Sequence, residues 1–408
     1  MKHFASWLLL FFLSFLVWPP VDARAEAKPG GESQFPMLSG LENAVEFWQR
    51  IFTEYGSSQL VFFDPLDMSR IYEVQNVGEG SRSNQYISAE SARIAAAHGV
   101  DRDRVRAQRG IKERTAEGLK RSGRYLAQMQ QIFRERGLPI GLAHLPMVES
   151  SYDISARSNV GALGMWQFMR TTGKQFNMRV DRNVDERKDP LESTRAAAAF
   201  LKQAYESLGS WPLAITSYNY GPAGMARAVS ETGSNDLVTL IRKYNHRYWG
   251  FAPKNFYAEF LAAVEIGKDV NQYFPGLDLD PALAIEEVEV KISTSVAALA
   301  SSTGLTRQQL LEWNPALSSA TGVVPAGYRV KTPADGKAEI VVAQATPTRP
   351  QTQAQPESQV VRHRVKRGET LIHIAQRYGA SLERILQANG LHKTSLLRVG
   401  TTLLIPKI

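Results

Sequence analysis

Two stretches of this chain repeat one another without a gap. Setting VKISTSVAALASSTGLTRQQLLEWN (290–314) above VKRGETLIHIAQRYGASLERILQAN (365–389) brings Val290 to Val365, Ala300 to Ala375, Gly304 to Gly379, Leu311 to Leu386 and Asn314 to Asn389. Each copy is later followed by a similar strand-like segment, AGYRVKTP and VGTTLLIP. Chance seldom keeps register over this length, and a short strand, two small helices and a return strand fit both copies. The region between them, 338–360, contains QATPTRPQTQAQPESQV (344–360), which has no aromatic residue and is rich in Pro, Gln and Thr. Such a segment is a semi-extended linker that, treated as a flexible coil, reaches about 25 Å. The chain must therefore end in two small modules, residues 285–335 and 361–407.

Upstream, from about residue 41 to 275, the periodicity is mostly helical. NAVEFWQRIFTEYG places Val45, Trp48, Ile51 and Phe52 on one face at the spacing of an amphipathic helix. DPLESTRAAAAFLKQAYESLG opens on Asp-Pro and closes at Gly209, as capped helices do. Residues 26–40 read as a flexible leader. The pattern over 60–100 is irregular and fits neither template, so 26–130 is set down as a helical and irregular N-terminal region.

The first 25 residues have the parts of a secretory signal: Lys2, an apolar core from Phe4 to Trp18, and a small-x-small site at Ala23-Arg24-Ala25. Their apolar run falls short of the ~20 residues that span a bilayer, which favours export over a retained anchor. The chain has no cysteine, hence no disulfide, thiol nucleophile or acylated N-terminal Cys. Of its net charge of +8, the basic excess lies in residues 361–408, which hold 9 basic and 2 acidic side chains. Attraction to a polyanion therefore belongs to the tail, and for an exported protein that means wall polymer or anionic lipid rather than nucleic acid. The histidines show no metal-ligand spacing and no phosphate-binding Gly loop occurs, so no metal or cofactor is expected.

GETL (368–371), IAQRYG (374–379), Asn389 and the closing LLIP make the second module resemble a LysM domain, a βααβ unit that binds N-acetylglucosamine-containing glycans. The resemblance implies Gly368, Thr370, Leu371 and Asn389 as glycan-binding residues. The first module has Ile292-Ser293-Thr294 in place of Arg367-Gly368-Glu369, losing a Gly-acid turn, and reads as a degenerate copy whose fold survives without sugar binding.

Four ordered blocks carry a second resemblance: Glu149-Ser150, GALGMWQF (161–168), DERKDP (185–190) and SYNYGP (217–222). Residues 131–275 are similar to the catalytic domain of soluble and membrane-bound lytic murein transglycosylases, those of membrane-bound type D above all. This implies a mainly α chain: a lysozyme-like α-helical transglycosylase domain followed by small α+β LysM modules. It also implies an exported enzyme of the periplasm or cell envelope whose partner is the peptidoglycan glycan strand. Many members carry an acylated Cys at the mature N-terminus, and this chain, lacking one, is expected to have no lipid anchor.

The residues themselves agree with such chemistry. Cleaving a glycosidic bond near neutral pH needs an acid that keeps its proton, so a carboxyl must be moved up from about 4.3 by burial. Glu149 follows the apolar LAHLPMV and is the candidate. Ordinary glycosidases use two carboxylates roughly 5–9.5 Å apart, and no second acid is evident beside Glu149. In the resembling family one Glu suffices: it protonates the oxygen between N-acetylmuramic acid and N-acetylglucosamine, then takes the proton of the sugar's 6-hydroxyl as a 1,6-anhydro ring closes. The resemblance further implies substrate contacts by Ser150, Ser158, Met165, Gln167, Tyr218 and Asn219, with Gly161 and Gly164 letting the backbone pass close to the sugar. Trp166, Tyr220, Tyr248, Trp249 and Phe251 are candidate sugar platforms, although burial is the commoner fate of aromatics. A hydrolytic muramidase and a non-catalytic wall-binding scaffold remain as alternatives.

Overall fold

The computed structural model describes residues 34–78, 83–334, 360–366, 369–389, 391 and 399–406. The expected signal segment, most of the linker, and Gly368 lie outside the described residues.

The helix α1 (Glu42–Thr53) forms as its periodicity predicts, with Val45, Trp48, Ile51 and Phe52 buried. The segment after it is not purely helical. β1 (Gln59–Asp64), β2 (Asp67–Asn76) and β3 (Arg106–Arg109) make an antiparallel sheet in the order β2-β1-β3, and α2 (Asn84–His98) lies between β2 and β3 along the chain. The apolar run Leu60-Val61-Phe62-Phe63 explains why its pattern fitted neither template. As the central strand it is covered on both faces: Val61 and Phe63 enter the main core, while Leu60 and Phe62 enter a second core that includes Ile94 of α2. The leader also ends in contact with the core, since Phe35 meets Phe260 edge-on at 4.9 Å and the Tyr257 hydroxyl donates to the Pro36 carbonyl at 3.0 Å.

The rest of this region is built from α3 (Lys112–Ser122), α4 (Leu126–Glu135), α5 (Leu145–Ser150), α6 (Arg170–Gln175), α7 (Pro190–Leu208), α8 (Trp211–Tyr220), α9 (Pro222–Thr232), α10 (Leu237–Lys243), α11 (Phe251–Lys268) and α12 (Val270–Tyr273). The fold is mainly α, as expected. α7 begins where the Asp189 carboxylate accepts from the Leu191 and Glu192 N–H groups, both at 3.0 Å, and ends at Gly209 with φ +73°. α11 runs through the middle with α1, α5 and α8 packed around it. It is apolar on most sides because most sides are covered, as Phe256, Tyr257, Phe260 and Ala263 show.

The first module consists of β4 (Ile285–Glu289), β5 (Thr294–Ser295), α13 (Val296–Thr303), α14 (Arg307–Trp313), β6 (Val323–Val324) and β7 (Arg329–Pro333), with β4 antiparallel to β7. It belongs to the same compact unit as the helices. Its loop after α14 joins the segment before α7: the Asp185 N–H donates to the Ala316 carbonyl, the Ser318 N–H to the Asn183 carbonyl, both at 2.8 Å, and Val184 is buried in the module's core. Beside this seam Lys331 is 3 % exposed, its Nζ 2.7 Å from Asp189 Oδ2, 3.3 Å from Glu192 Oε1 and 3.5 Å from Glu287 Oε1. Arg195 pairs with Glu192 and Glu287, and Arg329 with Glu192.

The second module lies in the other compact unit and has the expected strand, two helices and return strand: β8 (Val360–Arg364), α15 (Leu371–Tyr378), α16 (Leu382–Ala388) and β9 (Thr402–Pro406). Here three of the implied glycan-binding residues have partners within the module itself. Asn389 Nδ2 donates to the Ile385 and Leu404 carbonyls and Oδ1 accepts from the Leu404 N–H, so the side chain ties the end of α16 to the return strand. Asn314 makes the same bonds to Leu310 and Lys331 in the first module. The recurring Asn is thus a structural stitch. Thr370 caps α15 by accepting from the His373 N–H, and Leu371 is buried in the module's core.

Candidate active site

Glu149 owes its place to the turn that ends α5. Pro146 starts this short helix, and Leu145, Pro146 and Met147 are buried beneath it. The chain then leaves through two successive left-handed residues, Ser151 (φ 54°) and Tyr152 (φ 56°), a conformation costly for side-chain-bearing residues. Their surroundings hold it. Arg114 Nε donates to Ser151 Oγ at 3.0 Å, Arg121 Nη2 to the Ser151 carbonyl at 2.7 Å, and the Tyr152 hydroxyl bonds His144 Nδ1 and the Ala143 carbonyl. Gly118 is needed here, because a Cβ would stand 2.8 Å from that of Ser151.

The loop 156–169 forms the opposite wall. Arg187, paired with Asp185 at 2.7 Å, donates from Nη1 to the carbonyls of Gly161 and Phe168 at 3.1 and 3.2 Å. The DERKDP block therefore holds the GALGMWQF block in place. Gly164 passes so close that a Cβ would lie 1.8 Å from the Arg187 carbonyl oxygen, at φ +81°. Its lack of a side chain serves this backbone crossing. Gly164→Ala is expected to lose about 1–2 kcal/mol from the left-handed backbone alone, and more from the clash. Gly161→Ala, at φ +91° with open space around it, should lose only the backbone part. Chemical denaturation of the two variants measures the difference.

Glu149, Gln167, Phe168, Phe200, Tyr218 and Asn219 line one cleft, with Ala162, Val160, Met169 and Thr172 at its sides. Burial pushes the Glu149 carboxyl up to about 8, with the carboxyl of Glu259 on α11 adding to the shift. Glu259 is itself pushed up to about 8 by burial. The Tyr218 hydroxyl donates to the Trp166 carbonyl at 2.8 Å, and its own ionisation is opposed by burial and by Glu149. Gln167, at φ 49°, spends its amide nitrogen on the Ala156 and Gly164 carbonyls, leaving the carboxamide oxygen for a ligand. Asn219 Oδ1 is buried with no hydrogen-bond partner among the described residues.

Three implied contacts do not reach this cleft. Ser150 is 2 % exposed and donates to the Met165 carbonyl at 2.7 Å, tying α5 to the loop. Met165, at 1 % exposure, is core. Ser158 is buried and its Oγ accepts from the Ala162 N–H, closing a turn. None of the candidate platforms lines the cleft either. Trp166 and Trp249 are buried and bonded through their indole N–H groups to Thr194 and the Leu240 carbonyl; Tyr220 bonds His246, and Tyr248 and Phe251 lie under Arg247 and Arg106. Phe168 and Phe200 supply the apolar surface instead. Sequence reasoning missed Phe200 and Glu259. For Glu259 a signal existed: a single acid inside the apolar run FYAEFLAAV.

Among the described residues no group of His, Asp and Glu side chains could hold a metal ion, and no helix is long and apolar enough to cross a membrane.

Comparison with known proteins gives the site its context. Residues 130–240 match the family model of the transglycosylase SLT domain and residues 363–406 that of the LysM domain. Membrane-bound lytic murein transglycosylase D of Escherichia coli strain K12 is 27% identical over 287 residues, which cover 67% of this chain and 61% of the relative. A putative tributyltin chloride resistance protein of Alteromonas sp. is 28% identical over 171 residues, 41% of this chain and 80% of that protein. Among solved structures, an inactive mutant of lytic transglycosylase Slt from Pseudomonas aeruginosa has a TM-score of 0.30 at 21% identity, covering 38% of this chain and 25% of that one. The chain thus carries an SLT domain followed by a LysM domain and is homologous to the E. coli transglycosylase D, of whose length it spans 61%.

Proposed function

We propose, for this chain with its SLT domain and LysM tail, the activity of a peptidoglycan lytic transglycosylase that cleaves the β-1,4 bond from N-acetylmuramic acid to N-acetylglucosamine and leaves a 1,6-anhydro end. The observation that carries the reading is the carboxyl of Glu149: it stands in the cleft, pushed up to about 8 by burial, and has no cation bonded to it among the described residues.

Such a carboxyl is protonated at neutral pH and can give its proton to the departing glycosidic oxygen as the bond to the anomeric carbon breaks. The same high pKa makes the resulting carboxylate a capable base. It takes the proton of the 6-hydroxyl while that oxygen bonds to the anomeric carbon. Asn219 Oδ1 lacks a donor among the described residues, and the N–H of the 2-acetamido group is a donor of the right kind; held there, the acetamido oxygen is free to assist at the anomeric carbon. Phe168 and Phe200 give apolar walls that disfavour water as the competing nucleophile, and an intramolecular hydroxyl has a large effective concentration. The LysM module keeps the enzyme on its polymer and raises the local concentration of scissile bonds. The LysM module and the secretory features of the first 25 residues support a place of work in the cell envelope, after export to the periplasm.

A hydrolytic muramidase is the second reading, favoured by one observation: Glu259 supplies a second carboxyl acting on the first, as in glycosidases that activate water. Mass spectrometry of digested sacculi separates the two. Anhydro-ended muropeptides are expected; products that have gained water at a reducing end would establish the muramidase instead.

A further inference from the structure

We infer that the cavity between the helical region and the first module is a second carbohydrate site, one that takes an uncharged N-acetylhexosamine unit of a glycan strand. The choice of ligand rests on the reading of the chain as an enzyme of peptidoglycan. The cavity has a volume of about 450 Å³ and shares no lining residue with the cleft of Glu149. Sites for small molecules span roughly 300–1,000 Å³.

Its walls come from segments far apart in the chain. The Leu283 N–H donates to the Arg124 carbonyl at 3.1 Å and the Asp280 N–H to the Lys120 carbonyl at 2.9 Å. These bonds lay the segment before β4 along the turn between α3 and α4. The end of α14 supplies another wall through Leu311, Glu312 and Trp313. The ion pair of Lys331 and Asp189, both almost fully buried, also borders the cavity.

Trp313 is the residue that packing does not explain. The gapless repeat sets it against Ala388, so the fold of such a module does not require an indole there. It is half-buried yet belongs to none of the hydrophobic cores, whereas its neighbour Leu311 packs against that of the module. Neither its indole N–H nor the guanidinium of Arg124 has a hydrogen bond or ion pair with a described residue. Both side chains line the cavity. An aromatic face there gains from burial only when something covers it.

The lining charges select the ligand. Arg124 and Glu312 cancel, as do Lys331 and Asp189, so the cavity has no net attraction for the carboxylates of peptide stems. A pyranose ring carries C–H groups on its faces, which the electron-rich face of an indole attracts, and hydroxyls at its edge. For those hydroxyls the Trp313 N–H and Arg124 are donors, and Glu312, which already accepts from Gln308 Nε2 at 2.9 Å, is an acceptor. Tyr125, Ile154 and Leu283 add apolar surface. The site holds the strand at a point away from the bond being cut and adds to the grip of the LysM module.

The test uses the full chain labelled with fluorotryptophan, the fluorine resonance of Trp313 being identified by its loss in Trp313→Phe. Titration with chitotetraose, the uncharged tetramer of N-acetylglucosamine, is expected to shift that resonance saturably. Arg124→Ala changes an exposed side chain and should weaken the response about tenfold, the weight of one hydrogen bond to a charged group, with unfolding unchanged. A resonance that stays put, or that moves only with a peptide stem, overturns the inference, as does an affinity that Arg124→Ala leaves unaltered. Binding is read without turnover, so the two readings fail separately. A chain that responds at Trp313 but releases no product from peptidoglycan refutes the proposed function alone. One that cleaves with Trp313 unmoved refutes the second site alone.

Discussion

Replacing Glu149 with Gln is expected to lower the rate of glycan cleavage by about 10²–10⁴-fold, the usual contribution of a positioned acid. The exchange is nearly isosteric, so the cleft formed with Gln167, Tyr218 and Asn219 should persist and substrate should still bind. The stability of the variant distinguishes loss of chemistry from loss of fold. Because the wild-type carboxyl is raised to about 8, the folded state holds its proton where the unfolded chain has released it. The stabilisation this gives is complete below pH 4.5 and declines as pH climbs through 8. A glutamine has no proton to lose, so the melting temperature of Glu149→Gln should fall less between about pH 6 and 9 than that of the wild type. Clearing of purified peptidoglycan and a pH series of melting curves check both halves. A variant that clears at the wild-type rate would remove Glu149 from the mechanism.

The second large effect lies away from the cleft. Lys331→Met is expected to destabilise the first compact unit by about 3–5 kcal/mol, as removal of one partner from a buried ionic cluster does. Burial opposes the charge on Lys331, but Asp189 and Glu192 outweigh it and its pKa is raised above the ordinary value. Without the ammonium, Asp189, Glu192 and Glu287 face one another, with Arg195 and Arg329 the remaining cations paired to them among the described residues. Lys202→Met is the control: its ammonium is exposed and 4.0 Å from Glu206, a pair worth at most about 1 kcal/mol. Denaturant unfolding of the two variants measures the contrast. The cleft should suffer with the cluster, since Asp189 caps α7 and the neighbouring Arg187 holds the carbonyls of Gly161 and Phe168. The first module, although it reads as a degenerate copy, is in this way a buttress of the cleft loop.

Much of the architecture was legible because its causes are local. The face of α1, the Asp189 and Gly209 ends of α7, and the two helices between outer strands of both modules, to which the first module adds the short β5 and β6, come from periodicity, capping and turn chemistry within a few residues. The region 60–100 was not legible: a four-residue apolar run buried on both sides has no period, and only the two cores that receive it make it a strand. Within the site, the motifs brought Glu149, Gln167, Tyr218 and Asn219 together as expected. Ser150 and Met165 share the same motifs, and Ser158 lies between them, yet all three face inward, because a motif records that a residue is required without recording whether for chemistry or for support. Asn314 and Asn389 show the same ambiguity, since their recurrence was plain while its cause, a side chain stitching a helix to a strand, was not.

The sequence alone determined the order of the modules, the element types across most of the chain, and the single acid on which the proposed chemistry turns. The tertiary structure decided what that acid experiences. The affinity of a carboxyl for its proton depends on the depth of its burial and the charges a few ångströms away, and the packing of α5 on α11 sets both. In the same way, that Lys331 neutralises α7 and that Arg187 fixes the cleft loop are consequences of contacts between segments far apart in the chain, which no local pattern encodes.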